Sequence, residues 1–168
     1  QTGENVRVNR LPIQGNVMTI EQSYLEVTLS PHQPADMVTR LGRHELVNFR
    51  LTAHNEDIQL DEIKFRYNGR PNVITRVHLW HGEDLLNGDF GDGEGNFTIR
   101  PWNFTIPEGE FVDLTLDGQM NFHEARGGES FIIGYLGGIA TGLVSAERLE
   151  IQTVQPTSSE IHIQPGER

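Results

Sequence analysis

Apolar and polar residues alternate along most of this chain, and that period of two constrains the fold more than any other feature. A half-buried strand requires it, because successive side chains point to opposite faces of a sheet. In residues 24–30, Leu25, Val27 and Leu29 share one face while Glu26 and Thr28 share the other. Val47, Phe49 and Leu51 repeat the pattern against Asn48, Arg50 and Thr52. Each segment predicts one wall of a β-sandwich with its polar face toward water. Further strands are predicted at 73–80, 97–106, 111–116, 130–136 and 143–154, separated by Gly-, Asn- and Pro-rich turns. Such spacing favours a Greek-key sandwich.

One stretch breaks the alternation in an informative way. Ile58 and Leu60 have one parity and Ile63, Phe65 and Tyr67 the other, so a bulge or a sheet crossing at Asp61-Glu62 is expected to restore the inward face. The predicted core is Leu25, Val27, Leu29, Val47, Phe49, Leu51, Ile63, Phe65, Leu114 and Leu116. Two stretches fall outside the plan: residues 10–20 precede the first strong strand, and 160–163 follow a linker-like Gln-Pro-Thr-Ser-Ser at 155–159. The expected organisation is an N-terminal extension over residues 1–20, a sandwich over 21–154, and a linker with a short strand over 155–168.

Composition narrows the function classes. A chain of 168 residues with 36% hydrophobic residues can bury a core. Its net charge of -11 argues against nucleic acid and anionic lipid, whose phosphates are held by Lys and Arg. The absence of cysteine excludes disulfides, thiolate metal sites and a cysteine nucleophile. The longest apolar stretch, residues 131–140, carries three glycines and is far shorter than the roughly 20 residues of a membrane helix. No membrane insertion is expected. The chain opens at Gln1 with no basic-then-apolar leader, as a secreted protein does once its signal peptide is removed, so an extracellular location is expected.

Several segments, taken in order, resemble the immunoglobulin-like repeats found in tandem in very large secreted surface proteins of bacteria, especially of candidate phyla. They are Leu25-Glu26-Val27-Thr28-Leu29-Ser30-Pro31, Val47-Asn48-Phe49-Arg50-Leu51-Thr52-Ala53 with the turn Asn55-Glu56-Asp57, and Val77-His78-Leu79-Trp80-His81-Gly82 with Leu85-Leu86 behind it. Phe104-Thr105-Ile106-Pro107-Glu108-Gly109 then leads into Val112-Asp113-Leu114-Thr115-Leu116. The likeness runs from about Gly15 to Val154. It implies an immunoglobulin-like Greek-key β-sandwich with an extra N-terminal strand segment, at the cell surface, in a structural role. The stretch from Leu11 to Ile20 resembles the junction between one repeat and the next. That implies a homopolymer: a filament or surface layer assembled head to tail, with Leu11, Ile13, Val17, Met18 and Ile20 on a strand donated to the next subunit. The alternative is that this segment folds back on its own sandwich.

Residues that could carry chemistry are few. Asp89, Asp92, Glu94 and Asn96 crowd a glycine-rich stretch, which reads either as clustered oxygen ligands for calcium or as a solvated hairpin loop; the spacing is not that of an EF-hand. Asn96-Phe97-Thr98 and Asn103-Phe104-Thr105 match the acceptor rule for N-linked glycans, and Asn103 is expected on the outer face of a strand. Trp80 and Trp102 are candidates for a sugar-stacking platform, which would make the chain a carbohydrate-binding or adhesion module instead. The seven histidines, at 32, 44, 54, 78, 81, 123 and 162, form no His-Glu-x-x-His. No Gly-x-Ser-x-Gly occurs and no carboxylate pair stands out, so no catalytic residue is assigned and no enzyme is expected.

Overall fold

The computed structural model describes residues 21–151 and 156–165. Its strands are β1 (Tyr24–Leu29), β2 (Met37–Val38), β3 (Arg43–His54), β4 (Ile58–Asn68), β5 (Ile74–His81), β6 (Asp84–Asp89), β7 (Asn96–Ile99), β8 (Phe104–Ile106), β9 (Phe111–Met120), β10 (Ser130–Gly142), β11 (Arg148–Glu150) and β12 (Ile161–Ile163). Among the described residues no helix is long and apolar enough to cross a membrane.

One sheet runs β1-β3-β9-β5-β6; the other runs β2-β12-β10-β4-β7, with β8 also beside β4 and β11 beside β10. In immunoglobulin terms β1-β3-β9-β5 is the A-B-E-D sheet and β12-β10-β4 the G-F-C sheet. The protein is therefore an all-β, immunoglobulin-like Greek-key sandwich. Between β1 and β2 the chain changes sheets: β1 pairs antiparallel with β3, whereas β2 lies parallel to β12.

The alternation does what it predicts. Every expected core residue is buried except Leu29, which packs half-buried against the others. Phe49 and Phe65 stack across the two sheets with ring centroids 5.0 Å apart. Each such side chain contributes roughly 1.5–3 kcal/mol by leaving water. Opposite β10, Leu60 pairs with Ala140 and Glu62 with Ile139, leaving Asp61 as the inserted residue. That insertion lets Ile58, Leu60, Ile63, Phe65 and Tyr67 all face inward.

Three local differences from the sequence expectations have physical causes. The strand expected over 97–106 is two strands, because Pro101 has no N–H for a ladder and Asn103 adopts a left-handed φ of 49°. Asn103 thus stands in a turn rather than on a strand face. The strand expected from residue 143 begins only at Arg148; the residues before it form a tight turn in which Ala146 takes φ 56°. The short C-terminal strand lies within the sandwich: β12 pairs with both β10 and β2, and Ile161 and Ile163 are buried in the core. The proposed assembly residues Leu11, Ile13, Val17, Met18 and Ile20 lie outside the described residues.

Register defines two ends. Tyr24 sits beside His54 and Gly142 beside Ile58, so the start of β1, the β3–β4 turn and the end of β10 share the near end. Ser130 sits beside His162, which places β12 at the far end. At the near end the buried Glu56 clamps the β10–β11 turn. Its Oε2 accepts the N–H groups of Val144 (2.7 Å) and Ser145 (2.9 Å), and its Oε1 accepts the Ser145 hydroxyl (2.7 Å). Hydrogen bonds from the hydroxyls of Ser23 and Ser145, with the backbone donors adding, hold the Glu56 carboxyl down at about 2.

Candidate functional site

Connections from both sheets meet at the far end and enclose an open cleft of about 340 Å³. The β4–β5 loop brings Asn72, the β6–β7 loop brings Phe90, Gly91, Gly93 and Gly95, and the β9–β10 loop brings Asn121 and Glu124.

The β6–β7 loop is shaped from within. Asp92 Oδ1 accepts the N–H groups of Glu94 (2.8 Å) and Asn96 (3.1 Å), and Oδ2 accepts Asn96 Nδ2 (2.7 Å). These donors, the Asn96 side chain first, hold the Asp92 carboxyl below the usual carboxylate range. Gly91, Gly93 and Gly95 have φ of 74°, 81° and 92°, a region that side-chain-bearing residues resist. Two of them also permit close approach. A Cβ on Gly95 would lie 2.7 Å from the Tyr67 carbonyl, and one on Gly91 would lie 2.8 Å from the Phe97 ring. The loop therefore lies flat against β4 and β7, with the Tyr67 N–H donating to Gly95 O at 2.7 Å.

The floor of the cleft is aromatic and the rim polar. Tyr67 and Phe97 are buried, and Tyr67 tilts against Phe131 at 5.1 Å. Burial, aided by the Glu129 carboxylate, pushes the Tyr67 hydroxyl up to about 12, so it is neutral at physiological pH. Phe90 is 70% exposed, and the Arg76 guanidinium lies 4.6 Å from its ring centroid. Asn121 Oδ1 accepts the His123 N–H. Glu124 is paired with Arg70 at 3.2 Å.

The residues singled out for calcium are placed differently from a converging ligand set. Asp89 Oδ2 accepts the Thr98 N–H at 2.8 Å, Asp92 is engaged as above, and Glu94 brings its backbone N–H to Asp92. Among the described residues no group of three or more His, Asp or Glu could hold a metal ion. Of the two glycan acceptor sites, the Asn96 amide is bonded to Asp92, whereas Asn103 is exposed in its turn. The two tryptophans are not in ring contact. Trp80 is half-buried on the outer face of the β1-containing sheet, while Trp102 is 89% exposed in the β7–β8 turn.

Trp80 belongs to a second cluster. The Asp117 carboxylate is buried; it accepts His78 Nδ1–H and Trp80 Nε1–H, both at 2.7 Å, and pairs with Arg43 Nε at 3.1 Å. An ionised carboxylate only accepts, so Nδ1 carries the proton. Among the described residues no hydroxyl bonds to His78, so the pair lacks the nucleophile a hydrolytic triad needs. Sequence reasoning missed this cluster, yet His78 and Trp80 share parity on β5 and Asp117 lies directly opposite His78.

No protein-family model and no curated protein matches the chain. Among solved structures, it is similar to a cohesin module of a Clostridium perfringens family 33 glycoside hydrolase, with 9% identity over 86% of this chain and 98% of the other at a TM-score of 0.40. It is also similar to the collagen-binding subdomain of an Enterococcus faecalis surface protein, with 10% identity over 87% and 99% at a TM-score of 0.31. A sporulation control protein from Bacillus subtilis gives 9% identity and a TM-score of 0.40 over 88% of this chain; the chain spans about half of that protein, 51%.

Proposed function

We propose that this domain is a non-catalytic module of the cell surface that binds a ligand, in an adhesion role, through the far-end cleft. The observation that carries the reading is the commitment of the β6–β7 loop to one shape by Asp92 and by three left-handed glycines. A concave site with its polar groups already placed loses little entropy on binding. A non-catalytic role is supported by Asp117, whose oxygens are all engaged by His78, Trp80 and Arg43. The test is an NMR titration of the isotope-labelled chain with polysaccharides, collagen and other matrix proteins. Amide shifts are expected at Asn72, Gly91, Gly95 and Asn121; a ligand that shifts only other surfaces contradicts the proposal.

A second reading, a filament or layer subunit that donates the strand carrying Leu11, Ile13, Val17, Met18 and Ile20, is favoured by one observation. The start of β1 and the end of β12 lie at opposite ends, an arrangement that permits copies to join head to tail. Deleting residues 1–15 should leave folded subunits that no longer polymerise. Truncated protein that still forms filaments defeats this reading.

A further inference from the structure

Building on the binding role proposed for the cleft, we infer that its ligand is a neutral saccharide, packed by one ring face against Phe90. The charge balance comes first. The one acidic side chain lining the cleft, Glu124, is neutralised by Arg70, so a cationic ligand finds no free countercharge. The cation beside the cleft, Arg76, is stacked on Phe90 and is not among the described residues that line it, and an anionic ligand would have to approach a chain of net charge -11.

The apolar contact comes next. Phe90 lines the cleft and is 70% exposed, a large apolar area that an unliganded surface leaves to water. The Arg76 guanidinium stacked on its ring fixes its orientation. A pyranose has a face of C–H groups that fits such a ring, while its edge carries hydroxyls.

Those hydroxyls both donate and accept, and they call for side chains that do the same. Asn72 and Asn121 are amides on one wall, where the Asn121 N–H donates to the Val73 carbonyl at 2.8 Å. With Asn121 Oδ1 occupied by the His123 N–H, its Nδ2 is the group left to donate. The Asn72 side chain makes no hydrogen bond among the described residues, and its backbone is held in the left-handed region at φ 59°. At about 340 Å³ the cleft stands at the small end of ligand pockets, roughly 300–1,000 Å³, which suits one or two sugar rings.

The test uses the full chain, titrated with neutral mono- and disaccharides, an acidic oligosaccharide and a collagen peptide, read by amide shifts. Neutral saccharides are expected to shift Gly91, Gly95, Asn72 and Asn121. Phe90→Ala should weaken binding about tenfold or more, as loss of an aromatic anchor does, and Asn121→Ala several-fold. Trp102→Ala should leave affinity unchanged, and all three variants should keep the wild-type amide spectrum outside the substituted loop. If the cleft amides respond to the peptide or the acidic oligosaccharide but to no neutral saccharide, this inference falls and the binding role stands. If saccharide affinity is lost in Trp102→Ala and kept in Phe90→Ala, the site has been misplaced and both fall.

Discussion

Each end of the sandwich has a carboxylate that organises a turn, but the two work over different ranges. At the near end, Glu56 bonds to residues 88 and 89 positions away and ties the β3–β4 turn to the β10–β11 turn. At the far end, Asp92 bonds only to residues two and four positions away and shapes a single loop. Glu56 is buried, whereas Asp92 remains in water. The long-range clamp is part of what holds the domain together. The local one sets the form of the loop that lines the cleft proposed to bind a ligand.

The largest expected effect tests whether both ends hang on one core. Phe49→Ala removes the ring that stacks on Phe65 and should cost about 3–5 kcal/mol in urea unfolding, with amides at both ends losing protection together. Protection lost at one end only would divide the molecule into separate units.

The clamps themselves are separated by acid. Glu56 falls from an ordinary 4.5 to about 2 in the folded protein. Its contribution is therefore fully present above pH 4.5 and is lost as pH falls from 4.5 toward 2. Glu56→Gln should lower the melting temperature at pH 7 and flatten its decline over that window. A variant that tracks wild type at every pH would remove Glu56 from the account.

Smaller effects are expected in the far-end loop. Gly93→Ala places a side chain in open space at φ 81° and should cost about 1–2 kcal/mol for the left-handed backbone alone. Gly95→Ala adds a collision with the Tyr67 carbonyl and should cost distinctly more, measured by the same unfolding series. Equal losses would mean the loop is not pressed against β4.

The smallest effect belongs to Asp92. Asp92→Ala should leave the melting temperature near wild type while shifting amides across 91–97. Because the oxygens of Asp89 and Asp92 already accept backbone N–H groups, melting should be the same in calcium and in chelator. A tightly bound calcium ion would raise it.

Much of this architecture was legible in the alternation of residues. It located the strands that build the core and called for a bulge or a sheet crossing at Asp61-Glu62, which the register resolves as an extra residue at Asp61. Pro101 was in plain view, and its missing N–H could have split the 97–106 strand before any coordinates. Strand β6 was harder, since Leu85 and Leu86 are adjacent and carry no period of two. The cleft was half legible: the glycine-rich stretch marked the place, but spacing alone left it open between calcium ligands and a solvated hairpin loop. Its other wall comes from Asn72, Asn121 and Glu124, loop residues that only the Greek-key connections bring to the same end. Glu56 and its Ser145 partner were invisible for the same reason, being joined by topology and not by spacing.

The change of sheet between β1 and β2 has a mechanical consequence. Strands β2 and β12 run in the same direction, bridged by His162 N–H to Asp36 O (2.8 Å) and Gln164 N–H to Val38 O (2.9 Å). Tension applied between the start of β1 and the end of β12 drags these two strands past each other lengthwise. The bridging hydrogen bonds then bear the load together, in shear, and must break at once, whereas a hairpin pulled from its open end would unzip bond by bond. The short parallel patch is thus a shackle that resists extension by shear.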